Sequence, residues 1–173
     1  MILFRVLSVL ALFSIGAAAS AQTPAPAPEA ATPRQQHRPA FAPHDMVVAA
    51  HPLAAQAGRE ILRHGGNAVD AAIATALVLN LVEPQSSGVG GGGFLVYYAA
   101  AHRQIVTIDG RETAPLAAKP DRFLNPDGTP MHFFAAVVGG RSIGTPGYLR
   151  MLEMAHRKFG KLQWSSLFLP AIK

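Results

Sequence analysis

Apolar and polar positions recur along this chain with two different periods, and the periods mark its elements. Met46-Val47-Val48-Ala49-Ala50 is an unbroken apolar run closed by Pro52, which predicts a buried first strand. From Leu53 to His64 apolar residues fall at Leu53, Ala54, Ala57, Ile61 and Leu62, the three-and-four spacing of a helix. Gly65-Gly66 stops it, since glycine readily takes the left-handed conformation a helix end needs. Asn67 then caps a second helix, and Asp70 in its first turn favours the helix dipole. That helix, Ala68 to Val82, is apolar on most sides and rich in alanine, the pattern of an element buried between layers. Glu83-Pro84 ends it, because a residue before proline is pushed out of helical geometry.

The period then changes. A glycine loop, Ser86 to Gly93, leads into Phe94-Leu95-Val96-Tyr97-Tyr98; Ala99 to Arg103 reads as a turn and Gln104 to Asp109 as a second strand. Together they predict an antiparallel hairpin with Arg111 at its end. From Lys119 to Gly140 the pattern is irregular, with a turn at Asn125-Pro126-Asp127-Gly128. Gly144-Thr145-Pro146-Gly147 precedes a helix from Tyr148 to Phe159, with Thr145 as cap, Pro146 in the first turn, a core stripe of Leu149, Met151, Leu152 and Ala155, and Gly160 as stop. A further helix begins around Ser165.

The amino-terminal residues belong to another category. Arg5, an apolar stretch from Val6 to Ile15 and the small residues Ala19-Ser20-Ala21 form an export signal over residues 1–21. The apolar run is short for a membrane span, which needs roughly 20 residues, so no stable membrane anchor is expected and the location is secreted or periplasmic. Residues 22–45 are rich in proline and alanine and read as an extended linker, leaving 46–173 as the folded part. The chain has no cysteine, so packing alone must hold it together.

Charge narrows the function classes. The formal net charge is +5, but the basic residues are scattered and no face interleaves them with aromatics, which argues against a nucleic-acid partner. The 7 histidines lie far apart in sequence without an H-E-x-x-H pattern, so no metal site and no cofactor is expected. Gly88, Gly90 and Gly93 match G-x-G-x-x-G in spacing, yet a helix precedes and a strand follows, the reverse of what a dinucleotide loop requires. Ser86 and Ser87 lack a nucleophile turn and are expected to satisfy loop backbone groups. Two readings of the glycine loop stay open: a tight packing turn, or a loop at a binding cleft. Arg111 likewise can present a planar fork to a substrate carboxylate or pair structurally with Asp109 or Glu112.

Four motifs taken together resemble a known family. Gly65-Gly66-Asn67-Ala68-Val69-Asp70-Ala71-Ala72, Gly90-Gly91-Gly92-Gly93-Phe94, Asp109-Gly110-Arg111-Glu112-Thr113-Ala114-Pro115 and Gly144-Thr145-Pro146-Gly147, in this order, are similar to the start of the large subunit of the gamma-glutamyltransferases. The resemblance runs from about Met46 to Lys173. It implies an α/β (α+β) fold forming part of an αββα sandwich of the amino-terminal-nucleophile hydrolase type, made as a precursor that cuts itself into two subunits. It also implies a threonine nucleophile that attacks gamma-glutamyl amides such as glutathione and passes the acyl group to water or an amino acid. By the same resemblance Arg111 binds the alpha-carboxylate of the donor.

No Thr-Thr-His type motif occurs in the 173 residues, so no catalytic residue is expected in this chain, and the chain alone is expected to be inactive. Its partner would be the small subunit or the carboxy-terminal remainder of the same precursor. Two other readings remain: a non-catalytic secreted module that keeps a carboxylate site, and the front part of a related cephalosporin acylase.

Overall fold

A computed structural model describes residues 39–173. The expected export signal and residues 22–38 of the expected linker lie outside the described residues; 39–45 are exposed and without regular structure. The folded part begins with an extended segment, not a strand. Met46 to Ala50 alternates between half-buried Val47 and Ala49 and exposed neighbours, as a strand would, but forms no ladder with any described residue. An apolar run fixes extended geometry locally; pairing needs a second strand beside it.

Helix α1 spans Pro52–Arg63, with Pro52 at its first turn and His51 as cap, its Nδ1 accepting the Leu53 N–H at 3.2 Å. Ala54, Ala57 and Ile61 face the core, while Leu53 points outward. Gly65 ends the turn after α1 at φ +85°, in the left-handed region where a side chain is strained. Helix α2 covers Ala68–Val82 and begins with a reciprocal cap: the Asn67 side chain accepts from the Val69 and Asp70 N–H groups, and the Asp70 carboxylate accepts the Asn67 N–H. Val69, Ala71, Ile73, Ala74, Leu77 and Val78 are all buried, so α2 is the axis of the core.

Strands β1 (Phe94–Ala99) and β2 (Gln104–Asp109) pair antiparallel as expected, Phe94 opposite Asp109 and Ala99, expected in the turn, opposite Gln104. A single 3₁₀ turn, Ala100–His102, joins them, and Arg103 at φ 52° completes the reversal. One face of the hairpin, with Leu95, Tyr97 and Ile108, joins the core; Tyr97 stacks on Phe159 with ring centroids 4.5 Å apart. The opposite face is bare: Phe94 and Val96 are 69% exposed, Tyr98 57% and Ile105 70%. Among the described residues this hairpin is the whole sheet, so the fold is mixed helix and strand, and the described residues do not by themselves form the sandwich of which the resemblance implies a part.

The irregular stretch contains one five-residue helix, α3 (Phe133–Val137), which no pattern in the sequence signalled. Helix α4 spans Tyr148–Phe159 as expected and buries Met151, Leu152 and Ala155; Leu149 turns outward. Its start departs from expectation. Gly147 is the cap residue, without a side-chain bond, because Thr145 is engaged elsewhere: its N–H and C=O pair with those of Thr113 at 2.8 and 3.2 Å. A 3₁₀ segment, Trp164–Phe168, and a short helix α5, Leu169–Ile172, close the described chain over α2.

Candidate functional site

The four sequence motifs separate into two places. The first is structural. Asp70 is wholly buried, and its carboxylate accepts the Asn67 N–H at 3.0 Å, the Lys161 N–H with both oxygens at 3.1 Å, and the Leu162 N–H at 3.2 Å. The His156 Nε2 lies 3.9 Å from Asp70 and 2.8 Å from the Leu162 carbonyl. Asn67 in turn donates its amide to the Phe159 carbonyl at 2.6 Å. Both side chains direct their polar atoms into the fold, tying the start of α2 to the exit of α4, and neither is left to meet a ligand.

The other three motifs meet at the end of the hairpin. Gly93 and Gly110 exchange backbone hydrogen bonds at 3.2 and 2.9 Å, and the Tyr148 N–H donates to the Gly91 carbonyl at 3.2 Å. The approach is so close that a Cβ on Gly92 would stand 2.6 Å from the Gly110 carbonyl oxygen and 2.8 Å from the Arg111 Cα; one on Gly147 would stand 2.5 Å from the same oxygen. Only glycine fits where backbones touch. Within the loop, tight packing accounts for Gly92, which lies against the backbone of Arg111 itself, while a Cβ on Gly88 or Gly90 would meet nothing within 4 Å.

Arg111 stands at this junction with its side chain 61% exposed. Its N–H donates to the Asp109 carboxylate at 2.9 Å, and its Nε lies 3.4 Å from the Glu112 Oε2. That oxygen is buried and makes no hydrogen bond, so the guanidinium is its nearest cation at a distance beyond good hydrogen-bond geometry. The structural ion pair is thus present, and much of the guanidinium still faces solvent. The contact engages only the Nε edge of the Arg111 side chain, which leaves its terminal N–H groups for a carboxylate that can accept two parallel bonds.

Sequence reasoning missed a polar group behind the loop. Ser87 donates its hydroxyl to the Asn80 Oδ1 at 3.0 Å, and the Asn80 amide donates to the Ala76 carbonyl at 3.0 Å. The Tyr148 phenol is half-buried. Burial pushes its pKa up, and hydrogen bonding with Ser87 and then Asn80 holds it back in part. Ser87 therefore serves a side-chain network and not the loop backbone. The available signal was Asn80, a lone amide near the end of an apolar helix. Among the described residues no group of histidine, aspartate and glutamate side chains is placed to hold a metal, and no helix is long and apolar enough to cross a membrane.

Comparison with known proteins places this geometry. The sequence model of the family Gamma-glutamyltranspeptidase matches residues 54–173. The chain is 44% identical over 128 residues to the glutathione hydrolase proenzyme of Bacillus subtilis (strain 168), covering 74% of this chain and 22% of that protein. The gamma-glutamyltranspeptidase from Pseudomonas nitroreducens, solved in complex with L-DON, superposes with a TM-score of 0.71 at 40% identity over 76% of this chain and 38% of that one. A cephalosporin acylase from Bacillus halodurans superposes with a TM-score of 0.58 at 29% identity, over 83% of this chain and 27% of that one. The chain thus spans 22% of the length of that curated relative. It belongs to the gamma-glutamyltranspeptidase family.

Proposed function

We propose that this chain is the amino-terminal part of an exported gamma-glutamyltransferase or glutathione hydrolase precursor, and that Arg111 receives the alpha-carboxylate of the gamma-glutamyl donor. The carrying observation is the exposed guanidinium at the end of β2, its backbone pinned by the glycine loop. A planar, permanently charged fork on a rigid strand end suits a free carboxylate.

The chemistry would reside in the remainder of the precursor. There a terminal threonine hydroxyl attacks the gamma-carbonyl, its own amine taking the proton and returning it to the departing amine. The resulting gamma-glutamyl ester passes to water or to an amino acid. The family match and the name proenzyme borne by the Bacillus relative support this reading. So does the bare outer face of the hairpin, which offers Phe94, Val96, Tyr98 and Ile105 to a second layer of an αββα sandwich. On this reading the small subunit or carboxy-terminal remainder is the partner, and the lone chain turns nothing over.

The test is Arg111→Lys in the full-length precursor, assayed with gamma-glutamyl donors whose alpha-carboxylate is free or amidated. Loss of the bidentate fork should weaken the free-carboxylate donor by about 10- to 100-fold in kcat/KM and leave the amidated donor unchanged. Equal loss on both would remove the assignment. The superposed Bacillus halodurans acylase favours a second reading, the front part of a cephalosporin acylase. Profiling gamma-glutamyl against cephalosporin amides separates the two.

A further inference from the structure

We infer that Met46 to Ala50 is a strand whose ladder is completed from outside, and that an extended segment in the remainder of the precursor pairs with it edge to edge; this rests on the reading of the chain as the amino-terminal part of a longer protein. The side chains already hold these five residues as a strand is held. Val47 packs on the main core cluster and Ala49 on the smaller one, while Met46 is 53% and Val48 82% exposed. The seat is close: a Cβ on Gly58 of α1 would stand 2.9 Å from the Val47 Cγ1. Yet none of the N–H and C=O groups of these residues meets a backbone partner among the described residues. No proline interrupts the five, so every one keeps its donor. An extended backbone fixed from one face, with its donors and acceptors unspent, is a template for another strand.

Two observations name the occupant. Val47 rests on the same core cluster as Leu95, Tyr97 and Ile108 of the hairpin, so the segment and the hairpin lie against one core without bonding to each other. Their outward residues, Met46 and Val48 on one and Phe94, Val96, Tyr98 and Ile105 on the other, leave apolar surface bare on both. Strand exchange with a second copy through Met46 to Ala50 leaves the outer face of the hairpin uncovered. The remainder of the precursor can serve both: the chain spans 22% of the length of the Bacillus subtilis relative, so most of that protein lies outside the matched part. Paired in this way, Met46 to Ala50 adds a strand to the layer that the hairpin begins.

The test is hydrogen exchange, resolved to single residues, on the full-length precursor, which needs no substitution. We expect at least alternate amides of Met46 to Ala50 to exchange about 100-fold or more below the rate of an unpaired extended chain. A photo-crosslinking residue, Val48→p-benzoylphenylalanine, then identifies the occupant: the crosslinked peptide should lie beyond Lys173 of the same molecule. Exchange of the whole segment at unpaired-chain rates overturns the proposal, and so does a crosslink to residues 1–38 or to a second copy. Assay of the same preparation with a gamma-glutamyl donor separates this from the functional reading. Activity with a freely exchanging segment removes the strand and keeps the function; protection without activity keeps the strand and removes the function.

Discussion

Asp70 and Lys161, separated by 91 residues, are joined by a carboxylate that accepts one backbone N–H with both oxygens at 3.1 Å. The same carboxylate caps the residue that caps its own helix. A local capping device and a long-range clasp are thus one chemical group.

Replacing Asp70 by Asn keeps the shape and turns one acceptor into a donor facing backbone N–H groups. The site is wholly buried, so the mismatch is closed off from bulk solvent. We expect the full-length precursor to lose about 3 kcal/mol or more of stability, read as a lower urea midpoint at constant slope. A shift below about 1 kcal/mol would show that the clasp is dispensable.

Asn67 separates capping from clasping. Serine and aspartate both cap helices well, but neither donates to the Phe159 carbonyl as the asparagine amide does at 2.6 Å. Aspartate also sets a carboxylate oxygen against that carbonyl, beside Asp70. Asn67→Asp is therefore expected to be less stable than Asn67→Ser by about 1–2 kcal/mol in thermal or urea unfolding, the reverse of their usual near-equality at caps.

The glycine loop carries a within-loop contrast. A Cβ on Gly92 meets backbone atoms of Gly110 and Arg111 that cannot retreat, whereas one on Gly90 meets nothing within 4 Å. Gly92→Ala should cost about 1–3 kcal/mol and raise the donor KM. Gly90→Ala should change stability by less than about 0.5 kcal/mol. Equal effects in a melting comparison would count against packing as the reason for the glycines.

Asp127 supplies a pH prediction. Its pKa lies below the ordinary 3.8, chiefly because the Thr129 hydroxyl bonds its carboxylate at 2.7 Å, with the Thr129 N–H adding a second bond at 3.0 Å. The folded turn thus favours the ionised form. Its contribution is present above the ordinary carboxylate value and is lost as pH falls through the lowered one. Thr129→Ala should move the Asp127 midpoint up towards 3.8 in an NMR titration; an unmoved midpoint would assign the shift to something else.

Local pattern carried far where the determining forces were local. The capping of α2 by Asn67 and Asp70, the left-handed Gly65, both ends of α2, the span of α4 and the antiparallel hairpin follow from propensity, period and turn chemistry. Met46 to Ala50 was readable as extended but not as unpaired, because a ladder depends on a second strand that no local rule supplies. Thr145 suited a cap by type, yet its backbone pairs with Thr113, 32 positions earlier. Asp70 was legible as a first-turn acid and not as the centre of a clasp, since the N–H groups it gathers belong to Lys161 and Leu162. Arg111 was singled out as a candidate from its place at the strand's end between two acids, and the carboxylate role proposed for it came from the resemblance. The contact of Tyr148 with the loop was hidden, because its N–H meets the Gly91 carbonyl only once α4 is laid against the loop.

The Thr113 to Thr145 pairing also sets where this architecture can vary. By joining the chain just after Arg111 to the chain just before α4, it seals the intervening excursion into a closed ring anchored at one neck. The closure entropy of such a ring grows only with the logarithm of its length, about 0.6 kcal/mol for each doubling. Residues can be added or removed between Pro115 and Gly144 at small thermodynamic cost, with the neck absorbing the change before it reaches the guanidinium. The segment is thus a place where new surface can evolve while the strand end that carries Arg111 stays where it is.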